Sequence, residues 1–241
     1  SDITGSSVYN SASGDFTFHQ GPVFANVVLA DEINRAPAKV QAALLEAMQE
    51  QQVTIGSTTF SLDKPFLVFA TQNPLEQEGT YRLPEAQVDR FMFKLFIQYP
   101  SQAEEKAIIQ KERSLDDIQP VISKDEILHA QKTVSQLYSD DKILDYCVSF
   151  VAATRTPEEF GLSELKKYIL YGVSPRATVA LHKASRAHAF LKKRTFVTPD
   201  DVKAVAIAIL RHRIILTVEA EAEHISADMI IKKILRTLPT P

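Results

Sequence analysis

Val27-Val28-Leu29-Ala30-Asp31-Glu32 runs four apolar residues directly into two adjacent carboxylates. An apolar run without polar alternation reads as a strand buried on both faces, which points to a parallel sheet under helices. Ligands of such sheets sit beyond the carboxyl ends of the strands, where Asp31 and Glu32 fall. Two acids there allow a division of labour, one carrying a hydrated Mg²⁺ and the other orienting or deprotonating a water. A plainer role fits the same pair: acids at the start of the next helix.

Working outward, Pro37 reads as a first helical position. Val40, Leu44 and Met48, with Ala43 and Ala47, recur at the spacing of one buried helix face that ends near Gln51. Val53 and Ile55, then Phe60 and Leu62, alternate with polar residues around Gly56-Ser57, the pattern of a β-hairpin. Phe66 to Ala70 is a second unbroken apolar strand, and it delivers Thr71-Gln72-Asn73-Pro74 to the edge that holds Asp31. A polar loop from Pro74 to Leu83 follows, then a short helix opened by Pro84 that carries Asp89 and Arg90. Phe91 to Ile97 reads as a third strand. Upstream, Ser1 to Gly21 is rich in Ser, Gly and Asn, with Phe16 and Phe18 alternating, and reads as a loop or short exposed hairpin.

Past Pro100 the character changes and only helical periodicity remains. Ser123 with Glu126 forms a capping box, and Ser174-Pro175 and Thr198-Pro199 place cap donors before first-turn prolines. Apolar faces such as Ala180-Leu181-Ala184 and Val202-Val205-Ile209 indicate a compact bundle. The expected organisation is an α/β part over residues 1–100, a linker over 101–122 and an all-α part over 123–241.

Composition narrows the class. An apolar fraction of 45% and a charged fraction of 24% describe an ordinary globular chain. A net charge of −3 supplies no bulk attraction to nucleic acid or acidic membranes. The single cysteine, Cys147, lies in an apolar helical pattern, which implies core packing, no disulfide framework and a reducing, cytoplasmic compartment. The longest apolar run, Ala204 to Leu210, is far too short to span a bilayer. No signal peptide is recognisable, and the opening at Ser1 without a methionine suggests a piece of something longer.

Asn73, at the tip of a strand neighbouring the acidic one, can place a water or meet a phosphate without adding charge, or simply start a turn. Arg90 can cap its short helix, or present a fixed guanidinium to phosphate on a neighbouring subunit. Arg176 lies in the first turn of a helix, where the dipole disfavours a cation, and that misfit favours a functional role. Arg211-His212-Arg213 and Glu219-Ala220-Glu221-Ala222-Glu223 read as a solvated helix end and a solvated face. The remaining histidines lack metal-ligand spacing.

The order of these parts resembles an AAA+ ATPase. In its terms, Val27 to Glu32 looks like the Walker B strand, Asn73 like sensor 1, Arg90 like the arginine finger and Arg176 like sensor 2 in the helical lid. The hairpin over Val53 to Leu62 resembles the pre-sensor insertion, and Ser1 to Gly21 the end of the helix-2 insertion. The finer wording resembles the MoxR family: Gly21-Pro22-Val23-Phe24, Leu29-Ala30-Asp31-Glu32-Ile33-Asn34-Arg35, Ala70-Thr71-Gln72-Asn73-Pro74, Leu83-Pro84-Glu85-Ala86-Gln87-Val88-Asp89-Arg90-Phe91, Ser174-Pro175-Arg176-Ala177, and Arg211-His212-Arg213-Ile214 with the following Glu-Ala repeat. The resemblance covers nearly the whole chain.

That resemblance implies a partial AAA+ P-loop core followed by a helical lid, and an ATPase that uses Mg-ATP for chaperone-like remodelling or assembly of partner proteins. It implies that Asp31 binds Mg²⁺ through water, that Glu32 polarises the attacking water and that Asn73 helps place it. Arg90 in trans and Arg176 in cis would neutralise phosphate charge, with Arg176 also contacting the nucleotide. A homo-hexameric ring and a partner carrying a von Willebrand factor A domain are further implications. The sequence departs from the family in one respect: no lysine follows a glycine, so Gly-x-x-x-x-Gly-Lys-Ser/Thr is absent. In the family that loop precedes the point where this chain begins, and these 241 residues alone are expected to be inactive. Two other readings stand beside it: a nucleotide-free interaction module of AAA+ shape, and a nucleic-acid-remodelling motor. Gln51 to Asp63 contains no basic residue, which favours work on protein over nucleic acid.

Overall fold

The computed structural model describes residues 3–10, 14–55, 58–73, 83–110 and 118–241. The chain divides into two compact units, Ser1–Phe91 and Met92–Pro241.

In the first unit, β1 (Gly5–Asn10) and β2 (Asp15–Gln20) pair antiparallel, the hairpin alternative for this stretch. Gly5 adopts φ +106°, and a Cβ there would meet the carbonyl oxygen of His19 at 2.2 Å, so only glycine fits. β3 (Val27–Ala30) pairs parallel with β6 (Leu67–Ala70), Val27 opposite Leu67 and Ala30 opposite Ala70. Between them run α1 (Ala38–Glu50) and the hairpin of β4 (Gln52–Ile55) and β5 (Thr58–Ser61). The expected hairpin turn at Gly56-Ser57 lies outside the described residues, as does most of the polar loop after Asn73. Leu83 and Pro84 lead into α2 (Glu85–Val88), which ends before Asp89 and Arg90. Val28, Ile33, Leu44 and Leu83 form one small core, and Val23, Ala47, Val53 and Leu62 another. On α1, Leu44 and Ala47 are buried as the periodicity expects, joined by Gln41 and Leu45.

Two expectations for this sheet are corrected. β3 is buried on one face only: Val28 is 6% exposed, whereas Val27 and Leu29 are 58% and 66% exposed. Helix α1 packs its Leu44 with Val28, while Leu67 and Phe69 share the open character of Val27 and Leu29. The third strand over Phe91–Ile97 does not form. A strand needs a ladder partner for its backbone, and among the described residues this segment has none. Its backbone is instead held inside the second unit: Lys94 N–H donates to Ala208 O at 2.8 Å, and Arg213 Nη1 donates to Met92 O at 3.2 Å.

The second unit is helical: α3 (Gln102–Gln110), α4 (Lys124–Gln136), α5 (Asp141–Ala153), α6 (Pro175–Leu191), α7 (Pro199–Leu210), α8 (Val218–Ala222) and α9 (Ala227–Thr237). A short antiparallel ladder of β7 (Ile169–Tyr171) and β8 (Ile215–Leu216), which periodicity did not announce, is inserted. Helix α3, within the stretch expected to be a linker, has no buried residue. The core is one large cluster that includes Phe150, Leu162, Leu181, Val202, Ile209, Leu210, Ile230 and Ile234. Cys147 belongs to it, and burial pushes its thiol up to about 11.

The Arg211-His212-Arg213 expectation is also corrected. His212 and Arg213 are 9% and 6% exposed. Arg213 donates to the carbonyl of Ile209 at its own helix end. Arg211 grips Asp228 with two bonds of 3.0 and 2.7 Å and lies 4.4 Å over the Phe96 ring. The cover comes from residues 92–96 and the start of α9, segments remote in sequence that no local pattern ties to the end of α7. In the Glu219–Glu223 stretch the three glutamates are exposed as expected, with Lys167 paired to Glu219 and Glu223 at 3.0 Å each, but Ala220 is fully buried, so the run is not a solvated face throughout.

Candidate active site

The parallel register decides what meets at the sheet edge. With Ala30 opposite Ala70, the next residues, Asp31 and Thr71, emerge side by side. Thr71 then makes four hydrogen bonds to four consecutive residues of the other strand end. Its N–H donates to Ala30 O at 3.0 Å, and its carbonyl accepts from Ile33 N–H at 3.0 Å. Its hydroxyl accepts from Glu32 N–H at 2.8 Å and donates to Asp31 Oδ1. Glu32 adopts φ +49° and ψ +51°, the left-handed region, an uncommon place for a residue with a long side chain. A short 3₁₀ turn, Ile33–Arg35, follows, and Arg35 Nη1 donates to Glu32 Oε2 at 2.9 Å. Buried Gln41 fastens this turn to α1, its amide donating to Ile33 O and Ala36 O at 3.1 Å each. Asp31 stays exposed and Glu32 half-buried, so both carboxylates remain accessible.

Asn73 lies three residues beyond β6, half-buried, past the same edge as Asp31 and Glu32. Arg90 is placed elsewhere in the unit, after α2. With Gln87, Glu46 and Glu50 it lines a groove of about 270 Å³ against α1. Among the described residues, its buried Nε and the Oε1 of Gln87 have no hydrogen-bond partner. Arg176 belongs to the second unit, exposed in the first turn of α6, whose N-cap Ser174 accepts its backbone N–H at 3.2 Å.

The sequence reading passed over Thr71 and Arg35. Register was the available signal for Thr71, because aligning two strands that both end at the acidic edge puts it beside Asp31. For Arg35 the signal was its three-residue spacing from Glu32.

Residues 1–93 match the family model for the ATPase family associated with various cellular activities (AAA), and residues 163–234 match the AAA lid domain. The chain is 44% identical over its full length to Chaperone MoxR1 of Mycobacterium tuberculosis and spans 64% of that protein. It is 44% identical to the uncharacterized protein YeaC of Bacillus subtilis, spanning 73% of it. Protein MoxR of Paracoccus denitrificans is 30% identical over 230 residues, with 67% of that protein covered. The chain belongs to the MoxR family of AAA+ ATPases. The crystal structure of a candidate ATPase from Cytophaga hutchinsonii superposes with a TM-score of 0.92 at 48% identity, covering all of this chain and 74% of that one. The fold is accordingly that of AAA+ α/β core strands followed by the helical lid of the MoxR family.

The residues present fit a magnesium nucleotide in part. Asp31 and Glu32 offer hard oxygen donors, and among the described residues no group of three or more His, Cys, Asp or Glu could cage a metal by itself. Mg²⁺ suits that donor set, since it keeps several waters and takes one or two carboxylates plus phosphate oxygens. The backbone cradle and lysine that grip phosphate are not encoded in these 241 residues. No helix of the described residues is long and apolar enough to cross a membrane.

Proposed function

We propose that this MoxR-family chain is part of an ATPase that hydrolyses Mg-ATP and spends the cycle on chaperone-like remodelling or assembly of partner proteins in the cytoplasm. The observation that carries the reading is the pairing of Asp31 and Glu32 on one hydrogen-bonded turn at the carboxyl edge of parallel strands β3 and β6. Bound Mg-ATP would supply the electrophilic γ-phosphoryl group and its charge-neutralising cation. Asp31 would hold that cation through water. Glu32 would orient the attacking water and accept its proton at a carboxylate oxygen, and Asn73 would fix the water's position with its amide.

Arg90 would act in trans, which gives its guanidinium meaning only in a ring, a homo-hexamer in our reading. Arg176 would act in cis from the lid, binding nucleotide and neutralising phosphate charge. A protein with a von Willebrand factor A domain is the proposed partner. Glu32→Gln in the full-length protein tests the assignment: ATP binding should persist while turnover falls by about a hundredfold or more. Undiminished hydrolysis would remove Glu32 from the mechanism.

A further inference from the structure

We propose that Thr71 is a positioning residue for the hydrolytic site, its hydroxyl holding both acids in one arrangement and tying them to the strand that leads to Asn73. This rests on the functional reading above. A left-handed backbone costs a residue with a Cβ on the order of 1 kcal/mol, so it persists only where its surroundings impose it. At Glu32 the adjoining amides are both claimed by Thr71: Glu32 N–H by the hydroxyl at 2.8 Å, Ile33 N–H by the carbonyl at 3.0 Å. A threonine hydroxyl has one proton to give and lone pairs to accept with. Here the proton goes to Asp31 Oδ1 and a lone pair receives Glu32 N–H. One oxygen atom thereby orients the carboxylate of one acid and the backbone of the other. A carboxylate retains further lone-pair sites after accepting a single bond, so Asp31 keeps capacity for a hydrated cation. Because Thr71 stands two residues before Asn73, displacement of that strand end would be felt directly at both acids. The plainer role for Thr71, a β-branched residue completing a strand, needs its methyl and not its hydroxyl, and the two are separable.

The test compares Thr71→Val with Thr71→Ser in the full-length protein, by hydrogen–deuterium exchange over residues 28–36 and by the Mg²⁺ dependence of ATP turnover. Loss of the hydroxyl in T71V should speed exchange at the Glu32 amide by about tenfold and raise the half-saturating Mg²⁺ concentration by about threefold or more. It should lower kcat by about tenfold while the KM for ATP moves less than about threefold. T71S, which keeps the hydroxyl, should stay close to wild type in every readout. The proposal is overturned if T71V matches wild type in exchange and Mg²⁺ dependence, or if T71S is as impaired as T71V. Should T71V fail to fold, T71S decides alone: wild-type behaviour supports the hydroxyl and impairment overturns it. A wild-type protein without ATPase activity would sink the functional reading, and the exchange comparison would still decide whether the hydroxyl holds the turn.

Discussion

Asp201 is a buried carboxylate that several groups of the lid bond at once. Fully buried, it accepts from Arg194 Nη1 at 2.7 Å and again from Nη2, from Thr198 N–H at 2.8 Å and hydroxyl at 2.9 Å, and it meets His188 Nδ1 at 2.6 Å. Burial alone would push its carboxyl up. The Arg194 guanidinium, the Thr198 N–H and hydroxyl and His188 outweigh that and hold it well below the usual carboxylate range. Removing one partner of such a cluster strands the others, so Asp201→Ala should destabilise the lid by about 3 kcal/mol. Urea denaturation of both proteins measures it, and a difference below about 1 kcal/mol would place the cluster among ordinary surface ion pairs. The pH dependence has a definite sign. A depressed folded-state pKa stabilises above the unfolded value, so the contribution is complete above about pH 4 and fades only as pH falls further. In the wild type, titration from pH 8 to 5 should therefore leave this contribution intact.

Among the elements, α4 shows how much a helix can owe to its own ends. None of its thirteen residues is fully buried, Ile127, Leu128, Ala130 and Val134 being half-buried, so the cap weighs more here than in α5 or α7. Ser123 accepts Glu126 N–H at 3.2 Å, and Glu126 accepts Ser123 N–H at 2.8 Å, which closes the capping box. Ser123→Ala should cost about 1 kcal/mol, confined to α4. Hydrogen exchange checks both parts: amides at the start of α4 should speed up while those of α5 and α7 keep their protection. Equal acceleration in all three helices would mean that α4 unfolds only with the whole lid. The capping box was legible because its donors lie three residues apart. Residues 91–97, equally apolar, were misread for the complementary reason. Whether an apolar segment becomes a strand depends on a ladder partner far away in sequence, and Arg211 stacking on Phe96 rewards a different use of it.

For the molecule as a whole, the lid carries one large core, while the α/β unit carries two clusters of four buried residues each. Among the described residues, Val27, Leu29, Leu67 and Phe69 leave apolar surface open on the β3–β6 pair. The acids, Asn73 and both arginines are encoded, but the glycine-lysine loop that cradles phosphate is not. The 241-residue chain should therefore bind no Mg-ATP at micromolar concentrations, as calorimetric titration would show. Micromolar affinity would mean that the remaining groups suffice to hold phosphate, contrary to the role assigned to that loop.

The sequence by itself determined the features set over short range. The acidic end of the first strand, the hairpin around residues 53–62, the helix caps and the amphipathic faces of the lid all follow from spacing within a few residues. Tertiary structure decided whatever needed two remote segments to meet. Parallel register set Thr71 against Asp31 and Glu32. One-sided packing by α1 left Val27 and Leu29 exposed, although the same run read as buried throughout. Arg211 and Arg213, which look like a solvated helix end, are drawn inward because Asp228 and the carbonyls of Met92 and Ile209 satisfy their charge. A periodic pattern names the face an element wants to bury, and only the arrangement of the other elements settles what covers it and which polar groups find partners there.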